Sequence, residues 1–549
     1  MSLWQRLANP FRSSKRFGFS GGITPPPRKA RSLRSVIMDT PLPPRLIIPL
    51  QQHQGEAGRL CVAVGERVRK GQPLTRADGV HQLPVHAPAE GFISAIESRP
   101  VAAEFPRQEL CIVIDTEGSE DPPLSATMPD WQTLTPAQII AAIEYAGIAG
   151  LGGAGFPAAA KLRSASGRPV RTLIINAVEC EPYITADQAL LRERAAQVLT
   201  GAAILQRASA AQRTVIATDN DKTDAIAALR KAMVGQGQEL VLLPPRYPGG
   251  SERQLIEQLT GQQVPEHGLP ADLGVLMINA GTAYAVYRAL VLGEPLISRI
   301  VTVCGDTLQT PKNFEVPLGT PIAHLFELCG VDYQRLQRVV MGGNMMGITL
   351  SDLSVPVTKT CNCLVAGSAE EFTPVSEPLA CIRCGHCASA CPAGLQPQQL
   401  HLLARNGDLE RARDFGLQAC IECGVCNWVC PSHIPLVQYF RAAKADLAME
   451  DQQRRLSQHW QQRYEFHQYR IARSEKRRLA NRARVQTPSP AEQTIDKPPV
   501  PIALASPASF DRNQARLDIE AALRRVQARR QSIIASTAAP HDSGEETPS

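Results

Sequence analysis

Between residues 130 and 290 the chain alternates two kinds of apolar pattern. TLIINAV (172–178) and RTVIATD (213–219) are short, nearly continuous aliphatic runs, as expected of strands covered on both faces. ITADQALLRERAAQVLTGAAILQ (184–206) instead spaces its apolar residues three and four apart, the helical period. Strands of this type alternating with helices predict an α/β domain. Upstream, residues 45–115 break into short strand-like pieces separated by turns. VAVGERVRKGQPL (62–74) and VHAPAEGFISAI (85–96) place Gly65, Gly71 and Gly91 where tight turns need them. The segment resembles the barrel-sandwich hybrid of lipoyl and biotinyl domains. The intervening hairpin, TRADGVHQLP (75–84), holds no lysine to take a cofactor, so the segment reads as scaffold. From about 295 to 366, SRIVTVCG, IAHLFELCG, RVVMGGNMMG and SVPVTKTCNCLVAG suggest a small β-grasp-like module.

The ends of the chain read differently. Leu3, Trp4, Leu7 and Phe11 interleave with Arg6, Arg12, Lys15 and Arg16, which fits a short basic amphipathic helix for an anionic membrane surface or a partner chain. TPPPRKA (24–30) reads as a linker. After Gln452 the chain turns polar and basic, with helical stretches such as QARLDIEAALRRVQARR but little to form a core.

Composition narrows the class. A 549-residue chain that is 44% hydrophobic and 20% charged can build several globular domains, and no run reaches the roughly 18 uninterrupted apolar residues of a membrane span, the nearest, around Ile139–Ala160, being broken by Glu144 and crowded with glycine. The N-terminus lacks the apolar core of a secretory signal, so a place in the cytoplasm or on the cytoplasmic face of a membrane is expected. A net charge of +6, with much of the basic excess in the tail, gives no nucleic-acid footprint.

Eight of the fifteen cysteines fall in one 50-residue window. They form two runs, Cys381-x2-Cys384-x2-Cys387-x3-Cys391-Pro392 and Cys420-x2-Cys423-x2-Cys426-x3-Cys430-Pro431. Each repeats the bacterial ferredoxin spacing, in which the first three cysteines hold one [4Fe–4S] cube and the fourth ligates the other. Cys381, Cys384, Cys387 and Cys430 are therefore expected on the first cluster, and Cys391, Cys420, Cys423 and Cys426 on the second. CxxC pairs also serve zinc, but a duplicated pattern closed twice by proline favours clusters. Cys361 and Cys363 read as structural thiols, and Cys61, Cys111, Cys304 and Cys329 as small buried hydrophobes.

The stretch AGIAGLGGAGFPAAAK (146–161) is dense in glycine and would let backbone N–H groups approach a phosphate or a flat ring. On glycine content alone a turn or helix contact is the better reading, because neither dinucleotide nor P-loop spacing is present. Its surroundings reverse that preference. NAVECEPY (176–183) places Asn176, Glu179 and Glu181 just after a buried strand, where ligands collect in open α/β sheets. YPGGSERQL (247–255) and NAGTAYAV (279–286) follow the same logic before two further helices.

Taken in order, GLGGAGFPAAAK, NAVECEPY, YPGGSERQL, NAGTAYAV and MGGNMMG, followed by the cysteine runs, closely resemble the RnfC family, the C subunits of Rnf/Rsx electron transport complexes. More distantly they resemble the flavin-binding NADH subunit of respiratory complex I. The resemblance covers roughly residues 30–445. It implies non-covalent FMN with NAD(H) as substrate, beside two [4Fe–4S] clusters. Gly152, Gly153 and Gly155 would form the loop over the flavin and its nucleotide, and Lys161 the loop's terminal lysine. Asn176 and Glu179 would be flavin-side contacts, and Glu181 the carboxylate beside the nicotinamide. Tyr247, Gly250, Glu252, Asn279 and Thr282 would line the same pocket. Val178 and Ser251 stand where the complex I pattern has acidic residues, which makes the nicotinamide side less acidic.

The fold class so implied is multidomain α/β: an N-terminal segment (1–30), a non-carrier barrel-sandwich hybrid (31–129), a Rossmann-like FMN- and NADH-binding domain (130–290), a β-grasp, SLBB-like domain (291–367), a helical two-cluster ferredoxin domain (368–450) and a basic, largely disordered tail (451–549). The expected function is that of an NADH-oxidising FMN and iron–sulfur subunit of an ion-translocating complex. It would exchange electrons with a ferredoxin-like subunit and lie peripherally, with the membrane subunits, on the cytoplasmic face of the bacterial inner membrane. A soluble cobalamin reductase-like enzyme and a non-enzymatic electron wire share parts of this pattern.

Overall fold

The computed structural model describes residues 18–103, 107–117, 130–165, 167–265, 268–372 and 377–486. The amphipathic pattern at residues 3–16 and the tail beyond 486 lie outside these. The chain divides into two units, residues 1–455 and residues 456–549.

In the first unit the barrel region is built on β1 (Arg45–Pro49), β2 (Gly91–Val101) and β3 (Arg107–Thr116). Together with the short strand Arg67–Val68 they form one antiparallel sheet. Two short pairs, Glu56–Ala57 with Gln82–Leu83 and Arg59–Leu60 with Thr75–Arg76, complete it around Leu46, Ile48, Leu74, Ile93 and Ile114.

The α/β region opens with α1 (Pro136–Tyr145), which Thr135 and Gln138 close with a reciprocal capping box. There follow α2 (Ala158–Ser164), β4 (Thr172–Ala177), α3 (Ala186–Ser209), β5 (Arg213–Asp219), α4 (Thr223–Ala232), β6 (Glu239–Leu243), α5 (Glu252–Thr260), β7 (Val275–Asn279) and α6 (Ala280–Val291). The four strands are parallel in the order β6-β5-β4-β7. Alternation along each strand feeds two cores. Leu173, Ile175, Leu276 and Ile278 face one layer with α1, α3 and α6, whereas Ile174, Val275 and Met277 face the layer of α5. The connection direction reverses between β4 and β7, whose last paired residues are Asn176 and Asn279. That reversal opens a crevice at the carboxyl ends of the strands, the usual ligand position in such sheets.

Next come β8 (Ser298–Cys304), β9 (Lys312–Pro317), α7 (Ile322–Leu328), β10 (Arg338–Met341), β11 (Ile348–Leu350) and β12 (Cys363–Gly367). They form a six-stranded sheet whose edge is the distant strand Met38–Asp39, parallel to β9. Lys359 is fully buried where this sheet meets the two preceding regions. Its ammonium donates to the carbonyls of Pro84 (2.9 Å) and Gly147 (2.7 Å), and burial lowers its pKa to about 7.

The cysteine-rich part contains α8 (His386–Ala390), α9 (Pro397–Arg405), α10 (Leu409–Asp414), α11 (Val425–Trp428) and the start of α12 (Leu436–Gln486), packed around Leu400, Leu417, Val437 and Phe440. In the second unit the described residues are helical and exposed through residue 483.

Two expectations are corrected here. The stretch 24–30 is not a free linker: the Pro27 carbonyl accepts from the Tyr183 N–H at 2.9 Å, and Lys29 donates to the Glu179 carbonyl. Cys61 is exposed, unlike the buried Cys111, Cys304 and Cys329, because it follows a two-residue edge strand.

Candidate functional site: a crevice joined to a cysteine cluster

A cavity of about 610 Å³ lies at the β4/β7 reversal, within the size range of nucleotide and cofactor sites. One wall is the glycine loop. Gly152 and Gly153 line it, whereas Gly155 does not, and a Cβ on Gly155 would lie 2.8 Å from Thr360 Cγ2. Lys161, on α2, reaches Glu252 at the start of α5, Nζ to Oε1 at 2.5 Å, and both line the crevice.

The strand ends form the floor. Asn176 donates to the Gly250 carbonyl at 2.8 Å and accepts from the Val178 N–H at 3.0 Å, fixing the two loops against each other. A Cβ on Gly250 would lie 2.2 Å from the Val178 carbonyl oxygen, so this approach requires glycine. Asn279 caps α6 by accepting from the Thr282 N–H at 3.3 Å, while its amide donates to Asp187 at 2.6 Å. Thr282 Oγ1 accepts from the Leu151 N–H at 2.9 Å and so ties the glycine loop to α6.

The two glutamates of the acidic loop behave differently. Glu179 accepts from the N–H groups of Asp187 (2.8 Å) and Gln188 (3.2 Å) at the start of α3, which fixes the loop to that helix end. Glu181 accepts from the Met345 and Met346 N–H groups at 2.8 and 3.0 Å. Burial raises its pKa, opposed by those two amides. The strap 341–347 fits over it only because residue 343 is glycine: a Cβ there would lie 1.9 Å from Glu181 Cγ.

Four charged or thiol groups lining the crevice, Asp187, Arg288, Arg299 and Cys180, have no counterpart among the residues nominated from the sequence. Asp187, in the first turn of α3, has its carboxyl pushed up to about 7 by burial and by Glu179. Arg299 is buried on β8, donates to the Leu151 carbonyl at 3.2 Å and has its pKa lowered to about 10 by burial. Cys180 accepts from the Gly250 N–H at 3.3 Å. The only sequence signal for Asp187 was an acid opening a helix just after the acidic loop. MGGNMMG was visible as a motif, but nothing in it showed which residue it covers.

The cysteine runs meet this crevice. Tyr247, almost wholly buried and lining the cavity, donates its hydroxyl to the Cys423 carbonyl at 2.6 Å. Tyr247, Cys423 and Val425 form one apolar cluster with Cys180 and Met345 packed on it. Cys391, from the first run, lies near Cys420, Cys423 and Cys426 of the second. Cys423 and Cys426 are buried, whereas Cys381 and Cys384 are exposed. The group that includes Cys391 thus lies inward, against the crevice, whereas Cys381 and Cys384 lie outward. Among the described residues no three His, Cys, Asp or Glu side chains converge on a single ion. Cube ligands need not do so, since each thiolate binds a different iron. The residues fit both groups: a nucleotide-sized crevice with a rim lacking Cβ atoms, and four thiols gathered from both runs.

Residues 17–119 match the RnfC barrel sandwich hybrid domain, 143–288 the Nuo51 FMN-binding domain, 300–349 the SLBB domain and 377–434 the 4Fe–4S dicluster domain. The C subunit of the ion-translocating oxidoreductase complex of Pectobacterium atrosepticum is 44% identical over 91% of this chain and 71% of its own length. The chain belongs to this family, RnfC. The corresponding protein of Pseudomonas aeruginosa is 47% identical over 84% of the chain, which spans 60% of that relative's length. This RnfC family member therefore carries an FMN-binding domain and a 4Fe–4S dicluster domain. Among solved structures, an NAD+-reducing [NiFe]-hydrogenase in the H2-reduced state is 19% identical, covers 58% of this chain and 65% of its own, and has a TM-score of 0.41. No helix among the described residues is long and apolar enough to cross a membrane.

Proposed function

We propose that the chain is the NADH-oxidising FMN and iron–sulfur subunit of a membrane-bound, ion-translocating electron transport complex, exchanging electrons between NAD(H) and a ferredoxin-like iron–sulfur subunit. The observation that carries this reading is the shared wall. Tyr247 lines the crevice and holds the carbonyl of Cys423, so a flavin in the crevice and a cluster on the inner cysteines would be separated by little more than one side chain.

Bound FMN would supply the exchange between the electron pair of a hydride and the single electrons that a [4Fe–4S] cluster accepts. The chain's own residues orient and enclose it. Gly152 and Gly153 leave room for the ring, with Gly155 shaping the loop behind them. The capped N-terminus of α6, with Asn279 and Thr282, suits a phosphate. Asn176 and Gly250 hold the floor, and Glu179 fixes the loop from α3. Lys161 and Glu252 form the ionic rim, and Glu181 with Tyr247 closes the cluster side. Electrons would leave through the inner cluster (Cys391, Cys420, Cys423, Cys426) to the outer one (Cys381, Cys384, Cys387, Cys430), where the exposure of Cys381 and Cys384 suits transfer to a partner.

The same reading takes the parallel sheet as Rossmann-like, the six-stranded region as a β-grasp-type module and the domain limits as 31–129, 130–290, 291–367 and 368–450. It places the chain peripherally, with the membrane subunits, on the cytoplasmic face of the bacterial inner membrane. Anaerobic purification tests it. About eight irons and one FMN per chain are expected, with flavin and cluster absorbance both bleached by NADH. Iron-loaded protein that contains no flavin and gives no response to NADH would sink the proposal. Flotation with inner-membrane vesicles, with and without residues 1–20, tests the location.

A further inference from the structure

We propose that Lys444 holds the reduction potential of the inner cluster above the value its thiolates alone would give, with Glu422 as the opposing charge. This rests on reading Cys391, Cys420, Cys423 and Cys426 as the ligands of one [4Fe–4S] cluster.

The internal duplication supplies the comparison. The two runs open as Cys381-Ile382-Arg383-Cys384 and Cys420-Ile421-Glu422-Cys423. The third residue is left-handed in both, φ 57° at Arg383 and φ 56° at Glu422. The loops therefore share a turn, yet equivalent positions carry opposite charges. Glu422 is clamped from α12, accepting from Lys444 Nζ at 2.9 Å and from Arg441 Nε at 3.2 Å. The same ammonium donates to the carbonyl of Cys420, a ligand residue, at 2.6 Å. Lys444 and Arg441 stand fourteen and eleven residues after Cys430. The positions at the same distances after Cys391 are Arg405 and Leu402, both exposed. The clamp is thus a property of the inner loop.

Reduction of a cluster adds one negative charge, and its potential follows net charge, hydrogen bonding and exposure. The Lys444 side chain is only 19% exposed, so its charge is less screened than that of a surface lysine. An ammonium bonded to a ligand residue favours the reduced cluster, and a carboxylate beside it favours the oxidised one. The bland reading is that Lys444 only fastens the loop to α12. The two readings separate because a neutral hydrogen-bond donor preserves fastening but not charge.

The test is a redox titration of the full chain, anaerobically purified with all its iron and followed by electron paramagnetic resonance. The inner signal is assigned as the one that Cys391→Ser removes. Lys444→Gln should shift the inner midpoint to more negative potential and leave the outer midpoint unchanged. Lys444→Arg should restore the wild-type value, and Glu422→Gln should shift the inner midpoint to more positive potential. An unmoved inner midpoint in Lys444→Gln, or equal shifts of both clusters, overturns the proposal. If Lys444→Gln sheds iron, Glu422→Gln decides, and an unchanged or lowered midpoint there overturns it. Wild-type protein without two clusters would instead overturn the functional reading beneath it.

Discussion

Tyr247 donates its hydroxyl to the backbone carbonyl of Cys423 across 176 residues of chain, and the ring that carries it lines the crevice. The crevice and an inner cysteine loop are thereby held at one spacing by one side chain. Tyr247→Phe keeps the ring and removes the bond, leaving a buried carbonyl short of a donor. It should cost on the order of 1–3 kcal/mol in stability. In stopped-flow mixing with NADH, flavin bleaching should keep its rate while cluster bleaching slows. Equal slowing of both phases would place Tyr247 in nucleotide binding alone.

Cys391 belongs by sequence to the first run but lies with the thiols of the second. Cys391→Ser should therefore remove the cluster bound by Cys420, Cys423 and Cys426 and spare the one bound by Cys381, Cys384 and Cys387. Iron should fall from about eight to about four per chain. Cys430→Ser should remove the other signal, so that the two variants give complementary spectra.

Lys161 pairs with Glu252 at a partly exposed rim, where an ion pair is worth at most about 1 kcal/mol. Lys161→Met should thus leave the melting temperature of the cofactor-free chain nearly unchanged. If the lysine faces bound nucleotide, the same variant should weaken FMN or NADH binding about tenfold or more in a fluorescence titration. Unchanged affinity would make Lys161 an ordinary surface lysine.

Asp187 has a folded-state pKa of about 7, raised by burial and by Glu179 from the ordinary aspartate value of 3.8. Between those two values the native state binds a proton that the unfolded chain does not. The contribution is therefore present at low pH and lost as pH rises through about 7. Asp187→Asn removes this loss. Its thermal midpoint relative to wild type should rise between pH 5 and pH 8, measured on cofactor-free protein. A difference that is flat with pH would show that the carboxyl is ionised throughout.

How far the sequence could be read follows from what each signal encodes. Residues 172–177 and 213–219 were readable as strands because burial on both faces demands a continuous apolar run. The cysteine spacing was readable because ligand geometry is local within each loop. Eleven of the twelve nominated crevice residues line one cavity, since strand ends and helix starts carry their own local signatures. Contacts between distant segments left no such trace. Nothing in MGGNMMG shows that Gly343 must clear Glu181, and nothing in TPPPRKA shows that Pro27 pairs with Tyr183. Proline-rich stretches read as spacers even when their carbonyls accept hydrogen bonds. Arg299 was hidden for a different reason: a lone arginine in an apolar strand carries no periodic mark.

Lys359 gives the architecture a consequence for how such a protein can change. Its ammonium is held by carbonyls from two other regions, Pro84 of the barrel and Gly147 ahead of the glycine loop. Excising the barrel would remove one of its two acceptors and open the side that keeps it from water, and a transplanted barrel would have to seat a carbonyl where that of Pro84 lies. The three regions are consequently poor candidates for independent shuffling, and a graft that succeeds should bring residue 359 and its acceptors together as a set.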